Sequence, residues 1–172
     1  MCIRDRHWFR LAADQGDKFA QYNLAFAFTN GRGVSASPKD AVRWYQKAAE
    51  QGMPQAQCEL GLIYEHGLGV PVDYEKSFYW SRLAAEQQYA EACCNLGWMY
   101  ENGLGVAQDL EQAQHWYEEA VKQEFAQAKD RLSALRERRT RLQPIPERNL
   151  RSDESVACLL YTSDAADDLT RV

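Results

Sequence analysis

Three loops in this chain have the spacing of a phosphate cradle: Gly31-x-Gly33-Val34, Gly67-x-Gly69-Val70 and Gly103-x-Gly105-Val106. A nucleotide loop also needs a third glycine or a lysine, and a strand leading into it. None of the three has these, and three recurrences at one interval are what connecting turns show. His66 and His115 have the chemistry of general acids or bases. Neither has a Cys, Asp or Ser at nucleophile or ligand spacing in its neighbourhood. Glu59, Glu65, Glu91 and Glu101 could pair as acid and base, yet glutamates scattered along helices are ordinarily solvated. Of five cysteines, Cys58, Cys93 and Cys94 lie in the body of the chain, with no C-x-x-C pair or Cys/His cluster to hold zinc. Cys93 and Cys94 point apart on a helix. Cys58 and Cys94 stand one repeat apart on stacked helices about 8–10 Å from each other, beyond the roughly 7 Å limit for a disulfide. All three are expected as thiols. No catalytic residue, metal ligand or cofactor site is expected.

The elements that carry these residues follow from one period. Trp8, Trp44, Trp80 and Trp116 recur every 36 residues, and only Trp98 is off this register. The same offset aligns Ala20, Ala56, Ala92 and Ala128, then Leu24, Leu60, Leu96 and Leu132, then Gln15, Gln51, Gln87 and Gln123. A period of this size marks a solenoid, whose units bury their apolar faces only by stacking.

Residues 54–89 show the unit. Ala56, Leu60, Ile63 and Tyr64 have the spacing of one apolar helix face, with Gly61 leaving room for a partner helix. Gly67 and Gly69 break the helix and supply left-handed backbone. Gly103 and Gly105 do the same one repeat later. Asp73 is a predicted N-cap, equivalent to Ser37 and Asp109, and Pro38 suits the first helical position. Ser77, Trp80 and Ala84 form the inward stripe of the second helix, equivalent to Ala41, Trp44, Ala48 and to Ala113, Trp116, Ala120. Gly16 and Gly52 end second helices, a place that Gln88 and Glu124 take later. Leu24, Leu60, Leu96, Trp44, Trp80 and Trp116 are thus structural residues.

The unit A-x-x-x-L-G-x-x-Y-x-x-G-x-G-V-x-x-D-x-x-x-A-x-x-W-x-x-x-A-A-x-x-G, with CELGLIYEHGLG from Cys58 and NLGWMYENGLGV from Asn95, resembles the Sel-one-like repeat (SLR), a relative of the tetratricopeptide repeat. The likeness covers nearly all of residues 7–135, with Ala25 and Phe28 departing from the pattern in the first full copy. It implies an all-α fold, an α-solenoid of antiparallel helix pairs in a right-handed superhelix. It also implies an adaptor or scaffold that binds proteins, as such repeats do in bacterial and eukaryotic proteins. Some relatives have been proposed as hydrolases, and cysteine-rich ones carry a Cys pair in each repeat, which is absent here.

In tetratricopeptide-like superhelices, the second face of each first helix lines a concave groove. Here that face carries Phe19, Tyr22, Asn23, Phe26 and Asn30, then Gln55, Cys58, Glu59, Leu62 and His66, then Glu91, Cys94, Asn95, Trp98 and Asn102. Phe26, Leu62 and Trp98 share one site where the pattern asks for nothing. Phe26 and Leu62 suit either the groove or packing against the next repeat; Trp98 is assigned to the groove. Aromatics among polar groups suit a peptide surface. With Glu59, Glu65, Glu91 and Glu101 and no Lys or Arg at the groove positions of the three full repeats, the expected partner is a neutral or basic peptide or helix with an apolar anchor near Trp98. A net charge of −5 argues against nucleic acid, and no apolar run reaches the roughly 20 residues of a membrane span. The alternative is a targeting arm for an enzyme or effector domain elsewhere in a longer protein. Compartment and oligomeric state stay open.

The expected organisation is a second helix alone at 7–17, full repeats at 18–53, 54–89 and 90–125, a first helix at 126–139, and a basic linker or tail at 140–157. Pro144 and Pro146 stop any helix there. The ends, 1–6 and 158–172, are expected to be foreign. MCIRDR and the CLLYTS beginning at Cys158 can be encoded by one short DNA string and its reverse complement, which matches a transposon end used in sequencing adaptors; such scars are set aside from fold reasoning.

Overall fold

The computed structural model describes residues 10–142; the foreign-looking ends, Trp8 and the tail after residue 142 lie outside this range. By contacts the chain forms two compact units, Met1–Glu137 and Arg138–Val172, the second described only over 138–142. Every regular element among the described residues is a helix. They are α1 (10–14), α2 (Lys18–Asn30), α3 (Pro38–Glu50), α4 (Pro54–His66), α5 (Tyr74–Glu86), α6 (Ala90–Asn102), α7 (Leu110–Lys122) and α8 (Ala126–Leu142). The last runs three residues past the expected 139. Each first helix packs on its own second helix, α2 on α3, α4 on α5 and α6 on α7. Each second helix then packs on the next repeat, α3 on α4 and α5 on α6.

Local chemistry sets each boundary. Side chains of Asp17, Ser37, Asp73 and Asp109 accept hydrogen bonds from the first turns of α2, α3, α5 and α7, satisfying donors that have no intrahelical partner. Met53 and Tyr89 precede α4 and α6 without a side-chain cap. Gly31, Gly67 and Gly103 end the first helices in left-handed backbone, each amide donating back to a carbonyl of the last turn. The second glycine of the later two loops has another role. A Cβ on Gly69 would lie 2.7 Å from Pro38 Cβ at the start of α3, and one on Gly105 would strike the Tyr74 carbonyl at the start of α5. The G-x-G loops of the second and third full repeats therefore seat each of these on the repeat before it. Gln88 and Glu124 hold the same left-handed turn, at φ 60° and 61°, that Gly16 and Gly52 hold elsewhere.

Two buried clusters form the core. One runs from Ala13 through Leu24, Trp44, Tyr45 and Leu60 to Ile63; the other from Cys58 through Leu96, Tyr117 and Leu132 to Leu135. The inward stripe of the second helices is buried as expected at Ala41, Ala48, Ser77, Ala84, Ala113 and Ala120, and departs from expectation at two tryptophans. Trp44 is buried, but Trp80 and Trp116 are only partly so and pack against the cluster edges. The next residue in each repeat, Tyr45, Ser81 or Tyr117, is more enclosed than the tryptophan before it. These are matched to the first helix: a Cβ on Gly97 would lie 2.8 Å from the Tyr117 ring, and one on Gly61 would collide with the Ser81 hydroxyl. The close approach expected at Gly61 is thus made by Ser81.

The aligned glutamines bind the repeats laterally. Gln51 Nε2 donates to Gln21 Oε1 at 2.7 Å, and Gln87 Nε2 donates to Gln57 Oε1 at 2.7 Å. Gln21 and Gln57, both buried, donate in turn to the carbonyls of Ala13 and Ala49 in the preceding second helix. In the third repeat Cys93 replaces this glutamine. Its Sγ–H reaches the Ala85 carbonyl at 3.7 Å, and Gln123 keeps the bond to the carbonyl four residues back, at Glu119, that Gln51 and Gln87 also make at Lys47 and Leu83.

Candidate partner-binding face

The outward side of α2, α4 and α6 is the face on which sequence places the groove residues. Helical spacing keeps Phe19, Tyr22, Asn23, Phe26 and Asn30 together on α2. Phe19 is 60% exposed and Phe26 38%, while Tyr22 is half-buried with its ring edge on Tyr45, centroids 5.5 Å apart. On α4, Glu59 and Leu62 are half-buried and His66 is exposed. On α6, Glu91, Asn95 and Trp98 are half-buried and Asn102 is exposed, its amide donating to the Trp98 carbonyl at 2.8 Å. Trp98 also packs against the second core cluster, so it serves the core and the surface together.

Three residues of the predicted face belong elsewhere. Cys58 and Cys94 are each 2% exposed. They fill the seam between first helices, where Asn95 Nδ2 donates to Cys58 Sγ at 3.7 Å. Burial pushes both thiols up, Cys58 far above its ordinary range, which keeps them protonated and unreactive. Cys93 is also a free thiol, raised by burial to about 11. Glu101 turns toward its own second helix, accepting from the Tyr117 hydroxyl at 2.9 Å. Burial, with this bond next, holds the Tyr117 hydroxyl well above its ordinary value. Glu65 is half-buried beside His66, Oε1 to Nε2 3.8 Å; burial raises it, with His66 and Arg131 opposing.

The carboxylates left on the face are Glu59 and Glu91. Burial raises the pKa of Glu59, and the Glu91 charge adds to the effect. Tyr22 and Tyr89 feel both carboxylates; Tyr89 is lifted to about 12, chiefly by burial, and its hydroxyl donates to Glu91 Oε2 at 3.5 Å. Among the described residues neither glutamate enters an ion pair. Tyr89 is a residue that sequence reasoning missed. It occupies the turn before α6, outside the helical spacing used to define the face. Arg131 was missed too: it falls on the position shared by Asn23, Glu59 and Asn95, one repeat on, and brings a cation close to Tyr117 and Glu65.

No group of three or more His, Cys, Asp or Glu among the described residues is arranged to hold a metal ion. No helix among them is long and apolar enough to cross a membrane.

Comparison with known proteins places this architecture. The Sel1 repeat model matches residues 6–17, 18–53, 54–89 and 90–125. A Sel1 repeat protein from Oxalobacter formigenes is 41% identical with a TM-score of 0.71, over 76% of this chain and 98% of that one. The protective antigen c5321 of uropathogenic Escherichia coli, which displays an SLR fold, is 42% identical with a TM-score of 0.75, over 77% of this chain; the chain spans 28% of its length. Helicobacter pylori cysteine rich protein B shares the fold at 20% identity and a TM-score of 0.59, over 76% of this chain and 96% of that one. No curated protein matches. With its period, its capped helix pairs and its seating loops all in the register of that repeat, the chain belongs to the Sel1 repeat family.

Proposed function

We propose that this chain is a protein-interaction scaffold that holds a peptide or helix of a partner along the outward face of α2, α4 and α6, the concave groove of the array. One observation carries this reading. The face combines exposed Phe19 and Phe26, half-buried Leu62 and Trp98, and two carboxylates, Glu59 and Glu91, that form no ion pair among the described residues. Apolar anchors ringed by polar groups are what binding hot spots use. Half-buried carboxylates without a cation are costly alone and favourable with a basic partner. The partner is thus an apolar segment flanked by Lys or Arg. Nucleic acid would meet a surface of its own sign.

Selection of a random displayed peptide library against the whole chain tests this. Recovered peptides should be basic and apolar, and Phe26→Ala with Leu62→Ala should weaken them by roughly tenfold or more. Glu59→Gln with Glu91→Gln should remove the preference for Lys and Arg. Tyr79→Ala, on α5, should leave binding intact. Peptides that ignore the α2 and α4 changes and are lost with Tyr79→Ala would overturn the reading. Trp98→Ala is the poorer probe, because its ring also packs on the core.

A further inference from the structure

The third repeat departs from the other two at one place. Where Gln57 reaches Gln87 across the second repeat, Cys93 is too short to reach Gln123. Beside it a cleft of about 200 Å³ opens between the end of α5 and α7, lined among others by Glu86, Cys93, His115, Trp116 and Glu119. The indole Nε1–H of Trp116 is buried and has no hydrogen-bond partner among the described residues.

The first repeat shows how the equivalent place is occupied. There Lys47, one turn after Trp44, lays its ammonium 4.1 Å from the centroid of the Trp44 ring. At the matching position the second repeat has Leu83 and the third has Glu119. The Trp116 site therefore lacks the cation that its Trp44 counterpart carries, and offers carboxylates instead. Glu119 pairs with Lys122, and Glu86 with Arg82 at 3.4 Å. Both are exposed pairs within one helix, worth little and readily exchanged.

We propose that this cleft receives a lysine residue of a partner protein. Its methylene stem would lie across Trp116 as Lys47 lies across Trp44, and its ammonium would meet Glu86 and Glu119 in place of Arg82 and Lys122. Cation–π contact on tryptophan, the strongest of the aromatic rings for it, adds to the ion pair. This site is on the second helices and stands independently of the groove reading.

The test uses the whole chain and doubly blocked lysine, Nα-acetyl-lysine methylamide, with the blocked norleucine analogue as its uncharged counterpart. The indole N–H signals are followed by ¹H–¹⁵N NMR, with that of Trp116 identified by its loss in Trp116→Phe. Blocked lysine should shift the Trp116 signal saturably in the millimolar range, and norleucine should act about tenfold more weakly or worse. Glu119→Lys should abolish the shift by supplying the chain's own cation, and Cys93→Gln should abolish it by filling the cleft. Glu119→Gln, which keeps the shape, should weaken it. Unchanged signals of Trp44 and Trp98 show that each variant is folded. No saturable shift, equal response to norleucine, or full response in folded Glu119→Lys would each overturn the proposal.

Discussion

Alanine at Gly105 should destabilise the chain far more than alanine at Gly33, though the two glycines occupy the same loop position and both have positive φ, +69° and +76°. In left-handed backbone an L side chain costs roughly 1–2 kcal/mol, and that term is common to both. The surroundings differ. A Cβ at Gly33 meets none of the described residues within 4 Å, whereas at Gly105 it strikes the Tyr74 carbonyl oxygen and lies 2.5 Å from the carbonyl carbon and 3.0 Å from Glu75 N. Those atoms are backbone at the first turn of α5, so no side chain can swing away; the whole loop must lift off the preceding repeat. Overpacking of this kind costs about 1–3 kcal/mol. At roughly 4 °C per kcal/mol for a domain of this size, Gly105→Ala should melt roughly 4–12 °C below Gly33→Ala. Because a solenoid is held by nearest-neighbour contacts, the Gly105 variant should also unfold with a broader transition as the third repeat uncouples from the second. Circular dichroism melts of the two variants and the parent decide it. Equal losses at the two positions would mean that the second glycine is there for its φ alone, and that the loop does not seat one repeat on another.

Trp44→Ala should cost about 3–5 kcal/mol in denaturant unfolding, as for large core side chains, and Trp80→Ala should cost clearly less because its ring is only partly enclosed. The Tyr45 hydroxyl is buried near Thr29 without completing a hydrogen bond, so Tyr45→Phe should leave the melting temperature unchanged or raise it; Tyr117→Phe, which breaks the bond to Glu101, should lose about 1 kcal/mol. Gln88→Gly relieves a positive φ on a non-glycine residue and should stabilise by about 0.5–1 kcal/mol in the same measurement. The pKa of Glu59 is raised in the fold, so between its unfolded and folded values the native state binds the extra proton and stability falls as pH rises. Glu59→Gln should therefore be more stable than the parent at neutral pH, with the advantage shrinking as pH falls through the folded value; a melting-temperature difference that stays flat or grows toward acid would contradict this.

Whatever depends on one helix or one turn could be read from the sequence. Asp73 and Asp109 cap because their carboxylates reach amides three or fewer residues away, and Gly67 and Gly103 end helices because only glycine takes that backbone freely. What escaped depends on the rotation between neighbouring helices, which no periodicity within a helix encodes. Helical spacing puts Cys58 and Glu59 on one side of α4, yet stacking buries the first against α6 and leaves the second half-open. The tryptophan register drew attention to Trp80 because the residue type repeats, while the better-buried position beside it reads Tyr, Ser, Tyr and looks unremarkable. Its signal lay in a pair: Gly97 faces Tyr117, and Gly61 faces Ser81. The first-helix residue stays glycine whether serine or tyrosine stands across from it, because either side chain already fills the space a Cβ would need, so the constraint is read only from two positions on two helices. The Cys93 cleft has the same origin. Gln21–Gln51 and Gln57–Gln87 are pairs thirty residues apart, and replacing one member by a shorter side chain leaves space that an alignment of single positions does not reveal. Departures of one repeat from its siblings are therefore the places to look for what distinguishes this array from others of its fold, and here they gather on the third repeat, at Cys93, Trp98 and Glu119.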